Sequence, residues 1–138
     1  MTYPLSANTI EKALAAISFN DDGLVPAIAQ QHDTGEVLMM AWMNREAVIE
    51  TLNNGRVCYF SRSREKLWHK GESSGQVQTL KNFRIDCDGD TLLLLVDQEG
   101  VACHTGRRTC FYTEVTDEGL KEIAEVEKSP EELYGSSD

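Results

Sequence analysis

Two features of the chain predict an α+β fold, a mainly antiparallel β-sheet built from hairpins with a few flanking helices. Short runs of β-branched, aromatic and leucine residues follow one another between glycine-centred turns, while helical patterns collect toward the chain ends. With 138 residues, the whole chain suits one domain with a core of useful size.

The elements follow in order. Asn8 or Thr9 is placed to cap a helix reaching Ile17, with Ile10, Ala13, Leu14 and Ile17 on one face. Leu24–Gln31 reads as a strand, and Asp33-Thr34-Gly35 turns the chain into a second, Val37–Met43. Asn44 caps a helix from Arg45 to about Asn53, which Gly55 stops. Val57–Ser61 is a third strand. Residues 62–75 are polar, charged and glycine-punctuated, which predicts a long functional loop with room for one helical turn. Val77–Cys87 alternates as a strand. The Asp88-Gly89-Asp90 turn then enters Thr91–Asp97, whose four consecutive leucines predict burial on both faces. Gln98-Glu99-Gly100 closes a further hairpin, and Arg108–Val115 is the last strand. Asp117–Glu127 is patterned as an acidic amphipathic helix on Leu120, Ile123 and Ala124, and Ser129–Asp138 as a frayed tail. No internal repeat or low-complexity tract interrupts this order.

Composition narrows the function classes. No apolar run approaches the roughly 20 residues of a membrane span, and Met1–Ile17 lacks the basic and apolar blocks of a secretory signal. The four cysteines are therefore expected as thiols in a reducing cytoplasm, with a disulfide framework as the alternative. A net charge of -10 argues against nucleic acid as a partner. Residues 56–113, however, hold nine of the 13 lysines and arginines against seven acids, so the middle of an acidic chain is basic. Such a focus suits a small anion, phosphate above all.

Chemistry concentrates in two stretches, Asp86-Cys87-Asp88-Gly89-Asp90 and Cys103-His104-Thr105-Gly106-Arg107-Arg108-Thr109-Cys110. Along an extended chain, Asp86, Asp88 and Asp90 share a face, and three adjacent carboxylates repel unless a hard divalent cation joins them. A hydrated acidic turn is the plainer alternative. Thr91 at the sixth position of the loop excludes an EF-hand. Cys87, Cys103 and Cys110 are candidate ligands of a catalytic zinc, since three protein ligands leave a position for water. Two of them as core thiols is the competing reading, and Cys58 is assigned to the core. Three thiolates make such a zinc site anionic and weaken its pull on water. His104, next to Cys103, is placed to help by proton transfer. Having carboxylates and thiols so close in sequence predicts one neighbourhood of metal-assisted chemistry.

Arg62, Arg64, Lys66, His69 and Lys70 crowd a loop that also carries Ser61, Ser63, Ser73, Ser74 and Gly75, a composition suited to phosphate oxygens. Arg107 and Arg108 offer a second anion site. Trp68 either stacks on a base or anchors the loop. No glycine-rich nucleotide loop of the Walker type is present.

Together, Ser61-Arg62-Ser63-Arg64-Glu65-Lys66-Leu67-Trp68-His69-Lys70-Gly71-Glu72-Ser73-Ser74-Gly75, Asp86-Cys87-Asp88-Gly89-Asp90 and Cys103-His104-Thr105-Gly106 resemble the phosphoribosyl-AMP cyclohydrolases of histidine biosynthesis. The resemblance covers roughly residues 18–114, with no departure inside the three motifs. The acidic segment 115–138 lies beyond it. The resemblance implies magnesium on Asp86, Asp88 and Asp90, and zinc on Cys87, Cys103 and Cys110. It also implies a cytoplasmic homodimer that shares its zinc site between subunits. The implied reaction is hydrolytic opening of a purine ring between nitrogen-1 and carbon-6, on a substrate bearing two phosphates. A fused pyrophosphohydrolase domain, found in some members, is not expected in a chain of this length. Two alternatives stand beside this reading. One is another zinc nucleobase hydrolase or deaminase, although the H-x-E and P-C-x-x-C signatures are missing. The other is a zinc-stabilised nucleotide-binding module with His104 as fourth ligand.

Overall fold

The computed structural model describes residues 1–134. Helix α1 (Ala7–Ala16) starts at Ser6, whose hydroxyl accepts the Thr9 amide, two or three residues earlier than the sequence suggests. Strands β1 (Val25–Gln31) and β2 (Val37–Met43) form the expected hairpin. Helix α2 (Arg45–Asn54) has the expected caps: the Asn44 side chain accepts the Ala47 amide, and Gly55 ends the helix at φ +72. Next come β3 (Cys58–Ser61), β4 (Lys66–His69), β5 (Gln78–Ile85), β6 (Leu92–Gln98), β7 (Thr113–Thr116), β8 (Gly119–Glu122) and a single-turn helix α3 (Pro130–Leu133).

The main sheet has the order β2-β1-β6-β5. Its two hairpins, β1-β2 and β5-β6, are antiparallel, but they join through a parallel pairing of β1 with β6. The α+β class and the dominance of antiparallel pairs follow the sequence reading. The parallel seam does not. One face of the sheet carries Val25, Ala27, Ala29, Leu80, Leu92, Leu94 and Val96, all essentially closed to solvent, against α1 and α2. The leucine run alternates after all, since Leu92 and Leu94 are buried while Leu93 and Leu95 are only half-covered. A strand in a sheet with helices on one side offers its second face to whatever lies beyond.

Three sequence expectations are corrected. The stretch 62–75 is no continuous loop, because Lys66–His69 pairs with β3 in register Cys58↔His69 through Ser61↔Lys66. Of the expected strand Arg108–Val115 only Thr113–Val115 is extended, as the start of β7, and it pairs with β8. Residues 101–112 are irregular and are tied to distant backbone, with the Cys110 amide donating to the Leu38 carbonyl. Asp117–Glu127 is no helix: residues 117–122 are the turn and return strand of the β7-β8 hairpin, and 123–127 are irregular. Gly119 sits there at φ +120, and the Ile123 amide donates to the Tyr112 carbonyl. β-Branched Val115 and Thr116 and the mid-segment glycine favour the extended form over the weak apolar stripe. The described part of the tail is ordered by a capping box between Ser129 and Glu132, while residues 135–138 of the expected frayed tail lie outside the described residues.

Candidate active site

The two chemical stretches occupy opposite ends of β6. The turn at 86–91 precedes it and residues 99–110 follow it, with roughly 20 Å of strand between at about 3.3 Å per residue. At the first end, the Asp86 carboxylate accepts the Asp90 and Thr91 amides and so closes the turn. Gly89 sits at φ +79, and the Ala16 carbonyl at the end of α1 fills the space a side chain would need. The Ser18 amide donates to the Gly89 carbonyl. The N-terminal helix thereby holds the acidic turn in place, a role not visible in its sequence.

One oxygen from each of Asp86, Asp88 and Asp90 lies within 4.8 Å of the others, and all three residues are exposed. Contact with the Asp88 and Asp86 carboxylates raises the Asp90 pKa above the usual carboxylate value. Desolvation is the largest single influence on Asp86 and acts upward, but hydrogen bonds from Asp90, the Thr91 amide and Asp88 together outweigh it and leave Asp86 lowered. Three carboxylates this close repel one another, and such a donor set suits a hard divalent ion.

The second end is a cleft of about 450 Å³ lined by Met39, Met40, Arg64, Trp68, Lys70, Ser73, Ser74, His104, Cys110 and Tyr134 among others. Its floor is the segment after β6. Paired backbone bonds, Ala102 N–H to Arg108 C=O and Cys103 N–H to Arg107 C=O, fold this segment back on itself. Beneath it runs a buried amide chain. Tyr59 Oη donates to Gln78, the Gln78 amide nitrogen donates to Gln98 Oε1, and Gln98 Nε2 donates to the Gln76 and Glu99 carbonyls. The Val101 amide closes the chain onto Gln76 Oε1. Every link is satisfied, so the network fixes the register of the loop that carries Cys103.

Cys103 is buried, and its sulfur accepts a hydrogen bond from Thr105 Oγ1 at 3.0 Å. Cys110 is exposed as a residue, yet its thiol is withdrawn from bulk water. Desolvation and the adjacent Cys103 push it up to about 12, with the Lys70 ammonium acting the other way. Lys70 itself is buried, which lowers its pKa, while Cys110 and Cys103 act to raise it. Cys58 is buried in the core, and burial pushes its thiol up to about 11. Cys87 is exposed on the acidic turn. Among the described residues only the three aspartates converge as a metal-sized group, so Cys87 does not join Cys103 and Cys110 within one chain.

The basic residues divide by location. Arg64, Lys70 and Ser73 line the cleft with His104, which is exposed. Arg62 stacks on Trp42 at 4.8 Å, Lys66 is exposed on β4, and His69 meets the Glu50 carboxylate at 3.3 Å. Arg107 donates to the Glu122 carboxylate and the Ala124 carbonyl and stacks on Tyr112. Arg108 donates to Glu36 and to the Gln98 and Gly100 carbonyls. These two arginines brace the loop rather than face the cleft. Met39, Met40 and Tyr134 are cleft residues that sequence reasoning missed, because only the β2 pairing and the returning tail bring them there. The Glu127 and Lys128 amides donate to the Gly106 carbonyl and dock that tail beside His104.

Groups able to move protons and hold anions thus face one cavity, the arrangement of an enzyme that acts on a small anionic molecule. The comparison with known proteins narrows that class. Residues 39–112 match the family model described as phosphoribosyl-AMP cyclohydrolase. A phosphoribosyl-AMP cyclohydrolase of Paramagnetospirillum magneticum is 72% identical over 130 residues, 94% of this chain and 98% of the relative. Those of Rhodospirillum centenum and Alkalilimnicola ehrlichii are each 65% identical over 131 residues, 95% of this chain and 98% and 92% of the relatives. The chain belongs to the phosphoribosyl-AMP cyclohydrolase family of enzymes.

Proposed function

We propose that the chain hydrolyses phosphoribosyl-AMP at its purine ring, the ring-opening step of histidine biosynthesis, in the cytoplasm. The observation that carries this reading is the meeting of Cys110, His104, Lys70, Arg64 and Ser73 around one cleft, from two stretches far apart in sequence. Water adds to carbon-6, the bond to nitrogen-1 breaks, and nitrogen-1 takes up a proton. His104, exposed on the cleft wall, removes the proton from the attacking water and returns one to nitrogen-1. Arg64, Ser73 and Ser74 at the cleft mouth take phosphate oxygens, and Trp68 gives the base an aromatic wall.

Cys103 and Cys110, two soft donors side by side, fit zinc. The Asp86, Asp88 and Asp90 carboxylates fit magnesium. When bound, zinc supplies Lewis acidity that makes water a competent nucleophile near neutral pH. A second copy of the chain completes the donor set. Cys87 lies at the far end of β6 from Cys103, so a site using all three thiols takes Cys87 from a partner subunit. The outer sheet face supports the same dimer, because Ile28, Leu93 and Leu95 stay half-covered and Met40 is 46% exposed.

Ultraviolet absorbance of phosphoribosyl-AMP incubated with the purified protein tests the reading. A spectral change that needs the protein and stops on chelation is the expected result. An unchanged spectrum with metal-replete protein removes the function.

A further inference from the structure

We propose that Lys70 is a positioning residue for the thiol pair: its ammonium orients the Cys103 loop and neutralises the thiolates instead of binding substrate phosphate. This rests on the reading of Cys103 and Cys110 as zinc ligands.

The backbone sets the lysine's direction. Lys70 directly follows β4, and its amide donates to the Val57 carbonyl at 3.0 Å. The next residue, Gly71, sits at φ +85, and the Gln76 and Val77 backbone occupies the space a Cβ would need. The chain is therefore locked just past Lys70, and the side chain runs inward. Only 8% of the residue is exposed. Its Nζ donates to the Ala102 carbonyl at 2.7 Å, one residue before Cys103, and lies 5.6 Å from the Trp68 ring centre. Burial lowers its pKa, and the titratable groups acting against that are the Cys110 and Cys103 thiols. A phosphate ligand would be expected to present its ammonium to solvent, as exposed Arg64 can from the same cleft.

The charge balance gives the role. A divalent cation with three thiolates carries one net negative charge, which weakens its hold on water as a Lewis acid. One ammonium alongside cancels that charge. The same hydrogen bond to Ala102 fixes the backbone from which Cys103 projects, as outer-shell donors do at metal sites.

The test uses the full chain with Lys70→Met and Lys70→Arg. Zinc affinity is read by competition with a chromophoric chelator, KM for phosphoribosyl-AMP at saturating zinc, and melting temperature without metal. Lys70→Met is expected to weaken zinc binding about 10- to 100-fold, the usual cost of losing an outer-shell partner. Lys70→Arg should restore most of it, and KM should stay unchanged in both. Metal-free melting temperature is read on both variants to confirm that each is folded, since Lys70→Met also removes the donor to the buried Ala102 carbonyl. A raised KM with parental zinc affinity would make Lys70 a phosphate ligand and overturn the proposal. Equal zinc loss in Lys70→Arg would reduce the residue to packing and overturn it too. A parent protein that binds no zinc fails in a different arm and sinks the metal reading itself.

Discussion

Co-expressing Cys87→Ala and Cys103→Ala chains asks whether the three thiols serve one site. Two sulfurs on one zinc lie within about 4.6 Å of each other, twice the zinc–sulfur bond length of about 2.3 Å. In one chain Cys87 precedes β6 and Cys103 follows it, with roughly 20 Å of strand between them. No rotamer closes that gap. Each variant alone is expected to be inactive, because every site in its homodimer lacks a thiol. Random mixing makes roughly half of the dimers hybrid, and each hybrid has one site with Cys87 from one chain and Cys103 and Cys110 from the other. The recovered activity is therefore about one quarter of the parental value per subunit. The assay is the absorbance change on ring opening, with zinc content measured on the same samples. No recovery in hybrids shown by mass to have formed would refute the shared site, as would full activity of Cys87→Ala alone.

Three further outcomes are expected. His104→Ala should lower kcat about 10²- to 10⁴-fold with little change in KM, the pattern of a lost proton carrier; an equal kcat removes it from the mechanism. Gln98→Leu leaves the buried Gln78 amide only the weak Met39 sulfur as acceptor and the Gln76 carbonyl without its donor. Urea unfolding should show a loss of about 3 kcal/mol, the upper range for one unsatisfied buried group, and a loss within error of zero would mean the network is dispensable. The Cys110 thiol, pushed up to about 12, is protonated at neutral pH, so zinc binding must release its proton. Zinc affinity measured by chelator competition should therefore rise with pH, about tenfold per unit for each proton released. A flat profile from pH 6 to 8 would contradict this.

Much of the first half was legible because local chemistry and tertiary packing agree there. Asn44 and Gly55 bracket α2 as their cap preferences dictate, and the Asp33-Thr34-Gly35 turn sets the β1-β2 register. The second half was not, because its backbone partners are remote. Thr109 bonds to Val37, Cys110 to Leu38, and residues 127 and 128 to Gly106. Those contacts outweigh the weak amphipathic stripe of 117–127, whose Leu120 stays 74% exposed. Local pattern also says nothing about which hairpin pairs with which, so the parallel β1-β6 seam was invisible.

By itself, the sequence determined the donor atoms, since thiolates, carboxylates and an imidazole are covalent facts of the chain and their chemistry travels with them. Only the tertiary structure decided which donors meet. β6 is a rigid spacer that carries the aspartates with Cys87 to one end and the other two thiols with His104 to the opposite end. Proximity in sequence gives no proximity in space when a strand runs between, because an extended chain rises about 3.3 Å at each residue.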